Sequence, residues 1–148
     1  MKTVNRIFFI LMLLLMVTSC DNDLIEMPAD NSVEITGDFE VLKSGTLIRQ
    51  SGTNTMGMVQ VVEDSSGKFF IRLSENFDTK FSTGTVTVYL STSSSLRLEE
   101  NESFQLIGIV NKPGQHFYEL NDLPDTKFTH GIIWCGAARI PFGNALIE

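Results

Sequence analysis

The chain has 148 residues and a formal net charge of -7, with 11 Lys and Arg against 18 Asp and Glu. That balance argues against nucleic-acid binding, because neutralising phosphates needs clustered cations. Two cysteines are too few for a framework of several disulfides.

The N-terminus sets Lys2 and Arg6 before an unbroken apolar run from Ile7 to Val17. At about eleven residues the run fits the hydrophobic region of a signal peptide. It is short of the roughly 17–25 residues that span a bilayer. Val17-Thr18-Ser19-Cys20 follows: an aliphatic residue, two small residues and a cysteine. This is the lipobox pattern. Small residues fit the narrow pocket of the lipoprotein signal peptidase, and the cysteine thiol takes a diacylglycerol before cleavage frees its amine. Residues 1–19 are therefore expected to be a lipoprotein signal peptide, and Cys20 the lipidation site. Each buried methylene contributes about 0.8 kcal/mol, so one acyl chain holds marginally and two or three, palmitate among them, hold stably. The expected location is the cell envelope, lipid-anchored to a bacterial membrane and either periplasmic or surface-exposed. Loss of Lys2 and Arg6 with the leader takes the charge to near -9, which supports solubility and gives no attraction to anionic headgroups.

Residues 20–32 are acidic, contain Pro28 and show no periodicity, so they read as a lipidated tether. The folded domain is expected over 33–148. Its recurring signal is period two. Val86, Val88 and Leu90 share one face, with Thr85, Thr87 and Tyr89 on the other. Phe69, Ile71 and Leu73 point inward, with Arg72 outward. Further strands are expected over 56–62, 104–110, 116–120, 128–134 and 138–142. Turn clusters separate them: Asp64-Ser65-Ser66-Gly67, Ser82-Thr83-Gly84, Ser91 to Ser95, Lys112-Pro113-Gly114 and Asn121 to Asp125. No stretch carries a helical stripe. The pattern predicts an all-β domain, an antiparallel β-sandwich or barrel.

The order of motifs in the domain resembles the DM-thirteen family. Gly37-Asp38-Phe39 and Ser51-Gly52 match its opening, and Val88-Tyr89-Leu90-Ser91 its central strand. Gly108, Asn111, Gly114, Gln115 and Tyr118-Glu119-Leu120 follow in family order. Ile132-Ile133-Trp134-Cys135 and Phe142-Gly143-Asn144-Ala145-Leu146 match its end. Two features depart from the pattern. Arg49-Gln50 stand where the family usually has a histidine before Ser-Gly, and the spacing between Gly37 and Ser51 differs. The resemblance implies a small all-β envelope module, associated elsewhere with DOMON and cytochrome-type domains and proposed to transfer electrons. It implies Cys135 as the residue of interest, with Trp134 beside it, but carries over no role for the missing histidine.

The residues themselves leave Cys135 open. If Cys20 carries lipid, Cys135 has no intramolecular partner. It is then either an inert core thiol, as free cysteines often are, or a redox or ligand thiolate. Dithiol chemistry within the chain is excluded, leaving one-electron or ligand chemistry, or a mixed disulfide with a partner. Trp134, the only tryptophan, reads as a core aromatic or as an electron relay. Strand periodicity puts His130, Ile132 and Trp134 opposite Cys135. A copper or zinc site built from His116, His130 and Cys135 would therefore need another register. No Cys-x-x-Cys-His points to bound haem. Asp122 and Asp125 flank a proline turn and read as turn residues ahead of calcium ligands. No hydrolase elbow, phosphate loop or dinucleotide fingerprint is present.

Two functions follow as expectations. The first is a non-enzymatic binding or accessory module of the envelope, redox-linked through Cys135, with the membrane and an envelope protein or redox partner as its contacts. The alternative is an electron-transfer protein working with a partner cytochrome or copper centre. A small-ligand or glycan binder is a third class for which the sequence selects no ligand.

Overall fold

The structure is a computed structural model describing residues 29–148. The expected signal peptide, Cys20 and the tether as far as Pro28 lie outside the described residues. Nine strands form: β1 (Phe39–Thr46), β2 (Ile48–Arg49), β3 (Met58–Asp64), β4 (Phe69–Leu73), β5 (Val86–Ser91), β6 (Phe104–Val110), β7 (His116–Leu120), β8 (His130–Cys135) and β9 (Ile140–Leu146). One short 3-10 turn, Phe81–Thr83, precedes β5. The strands make a four-stranded sheet, β1-β3-β4-β7, and a five-stranded sheet, β2-β9-β8-β5-β6. Every pairing is antiparallel. The two sheets pack as a sandwich and do not close into a barrel.

The core lies between the sheets. Val59, Val61, Ile71 and Leu73 of the smaller sheet meet Val86, Val88, Leu90, Ile133 and Cys135 of the larger. Each such aliphatic side chain contributes about 1.5–3 kcal/mol by leaving water. Phe77, Tyr118 and Phe142 fill the remaining space. Gly131 faces inward, and a Cβ there would lie 2.7 Å from Val59 Cγ1, so the sheets approach closely where a side chain is missing.

The two sides of the sandwich are joined differently. On one side the chain passes from β1 through Leu47 into β2, changing sheets. Ser44 and Glu148 exchange backbone hydrogen bonds of 3.1 and 3.3 Å there. On the other side the edges of β6 and β7 stand apart, and residues 30–33 lie across them. Asn31 Oδ1 accepts from Ile109 N at 2.8 Å, and Val33 N donates to the Phe117 carbonyl at 2.7 Å. The chain is thus fixed to the domain from about Asp30.

The period-two faces expected for β4 and β5 are observed, and β6 and β7 have the expected bounds. β1 and β2 were not anticipated. β1 is an edge strand, mostly exposed, and its register slips between Val41 and Lys43, so it has no clean alternation. The strand expected over 138–142 is displaced to Ile140–Leu146. Ala138 lies in a turn, and Gly143 and Asn144, which look like breakers, pair within the sheet.

Candidate functional site

Three places concentrate chemistry. The first surrounds Cys135. The β8 register puts Gly131, Ile133 and Cys135 toward the core, and Cys135 is fully buried. The turn after β8 brings Ala138 N to donate to Sγ at 3.4 Å. Thr83 closes the other side, its Oγ1 at 3.6 Å and its carbonyl at 3.9 Å. The sulfur therefore has a donor and an acceptor in place. Cys135 is a free thiol. Among the described residues no group of three or more His, Cys, Asp and Glu side chains is placed to hold a metal ion.

The second is His116, inward on β7 and buried beside Tyr118, whose ring stacks on it at 6.3 Å. Nε2 lies 3.0 Å from the Lys112 carbonyl, which can only accept, so Nε2 carries the proton. Nδ1 faces Ser32 Oγ and Asp30 Oδ2, both at 3.2 Å. The Asp30 contact lies off the line of a hydrogen bond, and Oδ2 has no other partner among the described residues. Burial, with the Asp30 carboxylate beside it, pushes the Tyr118 hydroxyl well above the usual phenol range. This group fastens residues 30–32 to the open side of the sandwich. Both imidazole nitrogens are occupied, so no lone pair is offered to a substrate.

The third is the outward face of the five-stranded sheet. The registers place Ile48, Pro141, Asn144, Leu146, Trp134, Ile132, His130, Thr87, Tyr89, Ser91, Ile109, Leu106 and Phe104 there. None of these is charged at neutral pH. Ile48 is 64% exposed, Leu106 54% and Leu146 49%. Trp134, Tyr89 and Phe104 are half-buried, and Ile132 is covered completely. Burial pushes the His130 imidazole below its usual pKa, which favours its neutral form.

The four-stranded sheet also has an apolar outward face, made by Val62, Phe70 and Phe117. That face is covered by the chain's own Ile35 and Phe39. The Arg72 guanidinium lies 4.9 Å over the Phe39 ring and 5.8 Å over Phe117. The five-stranded sheet has no comparable cover among the described residues.

The structure separates the residues singled out by sequence. Cys135 faces the core, while Trp134 and His130 face outward on the same strand. Trp134 is therefore not the core aromatic expected, because its position belongs to the apolar outer face. Cys135 and His130 cannot share a ligand. Asp125 forms a local turn, its Oδ1 accepting from Lys127 N at 3.0 Å, and Asp122 is exposed. Asp30, Ser32, Phe104 and Leu106 were not anticipated as site residues. The signal for the last two was available in the outward positions of β5 and β6. Comparison with family models, with curated proteins and with solved structures gave no match.

Proposed function

We propose that the protein is a lipid-anchored envelope lipoprotein whose DM-thirteen-like β-sandwich acts as a non-enzymatic binding module. The supporting observation is the uncharged outer face of the five-stranded sheet, where Ile48, Leu106 and Leu146 stand exposed with no covering segment among the described residues. Contiguous apolar surface of this kind marks interaction sites, and here the other sheet's equivalent is capped by the chain itself. The lipobox at Cys20 supports the anchor, and the order of DM-thirteen motifs supports the module.

Electron transfer through Cys135 with a partner cytochrome or copper centre is the second reading. The Ala138 N–H, 3.4 Å from Sγ, is the observation on its side, because it gives the sulfur a backbone hydrogen-bond donor. Full burial of the sulfur opposes it.

Native purification of the full chain separates the two. The binding-module reading expects a Cys135 thiol that reacts with a bulky aqueous disulfide reagent only after unfolding, in protein that carries neither metal nor chromophore. A thiol reactive in the native protein, together with copper or haem at one equivalent, overturns it in favour of electron transfer.

A further inference from the structure

Trp134, Tyr89 and Phe104 occupy successive outward positions on the adjacent strands β8, β5 and β6. Trp134 pairs with Thr87, Tyr89 with Leu106, and Phe104 with Ser91. The three aromatics therefore step diagonally across the face, one strand and two residues at a time. Diagonal neighbours in a sheet stand about 7–8 Å apart, so the line is roughly 15 Å long. Tyr89 and Phe104 meet edge to face at 5.9 Å.

Neutral hydrogen-bonding groups lie beside this line. His130 uses Nδ1 toward Thr129 Oγ1 at 2.9 Å, leaving Nε2 unengaged among the described residues. Asn144 pairs with Ile132 and brings a side-chain amide to the same face.

The occupant is constrained by charge and area. The chain carries -7 overall, yet this face carries no charged side chain, so it suits a neutral ligand and gives no hold on an ionic one. Four strands of six or seven residues and the two-residue β2, about 4.8 Å apart with a rise of about 3.3 Å per residue, make a face of roughly 400 Å². Two copies meeting on it would bury about 800 Å², short of the roughly 1,200 Å² of a stable interface. An extended, uncharged chain with apolar faces and many hydroxyls needs less area. Its C–H faces lie on aromatic rings, and its hydroxyls pair with imidazole and amide.

Resting on the binding-module reading, we propose that this face binds a neutral polysaccharide along the line Trp134–Tyr89–Phe104, with His130 and Asn144 as hydrogen-bonding partners. Trp134 is the only tryptophan, so its fluorescence reports on the face directly.

The test uses the mature chain in a zwitterionic detergent without a sugar headgroup. It is titrated with neutral hexasaccharides of glucose, of mannose and of N-acetylglucosamine. A saturable change in Trp134 emission with at least one is expected. Tyr89→Ala should weaken that binding about tenfold. Leu106→Lys, at an exposed position, should weaken it without loss of fold. Lys68→Ala, in the turn between β3 and β4 of the other sheet, should leave it unchanged.

The assignment is overturned if no hexasaccharide changes the emission, or if binding survives both face variants. A dimer seen by sedimentation and abolished by Leu106→Lys would also overturn it, in favour of a second copy on the face. Each of these results leaves the binding-module reading standing. That reading falls separately, on a reactive thiol with bound copper or haem.

Discussion

At position 135 a chemically suggestive residue has been placed where water does not reach. A strand register of two determines this: Ile133 and Cys135 point into the core because Ile132 and Trp134 point out. That division was legible from the sequence, since alternation alone separates the two sets. The fate of Trp134 was less legible. Periodicity gives its face, but only the assembled sheet shows that the outward face is itself apolar. The same face holds His130, whose pKa burial lowers. The folded state therefore favours the neutral imidazole, and the unfolded chain binds the proton more readily. Stability contributed by His130 is present above the unfolded pKa of about 6.5 and is lost as pH falls through the window below it. Denaturant titrations at successive pH values should show this decline, and His130→Gln should remove it. An unchanged slope in the variant would place the effect elsewhere.

At the level of elements, the strands that sequence reading located are those with one face in the core. β4, β5, β6 and β7 send alternate residues into the core between the sheets and declare themselves. β1 does not, because it is an exposed edge with a bulge, and β2 is two residues long. Both are defined by their partners. β1 depends on close approach to the end of β9: a Cβ at Gly45 would strike the Leu146 carbonyl oxygen, a backbone atom that cannot rotate away. Gly45→Ala should therefore cost about 2 kcal/mol or more, in the range of overpacked cores. Gly52→Ala is an unsuitable comparison, because that glycine has a positive φ of 68°. Gly136→Ala, with its nearest contact at 3.6 Å, is the proper control and should cost less. Thermal unfolding of the two variants checks the ordering, and equal losses would contradict the packing assigned to the β1–β9 side. The segment from Asp30 to Val33 was invisible as structure for a related reason. Its contacts are single polar bonds to Ile109, His116 and Phe117, which leave no periodic trace in sequence.

Across the whole molecule, the sides and faces of the sandwich are closed in different ways. One side of the sandwich is closed by the β1–β2 passage and the C-terminal residues. The opposite side is held by residues 30–33, so the last three residues of the expected tether, 30–32, are part of the folded unit. The four-stranded sheet covers its own outer face, and among the described residues the five-stranded sheet has no comparable cover. A lipid at Cys20 would hold this domain through the residues that lead to Asp30, with no need for the sandwich itself to enter the bilayer. The central proposal is that attachment and binding are separate, one in the lipid and one in the folded sheet. Membrane fractionation of Cys20→Ala tests it most directly. The variant should leave the membrane fraction completely while keeping the circular dichroism and Trp134 emission of the native domain. A variant that stays with washed membranes would contradict it, because the sandwich rather than the lipid would then hold the protein in place.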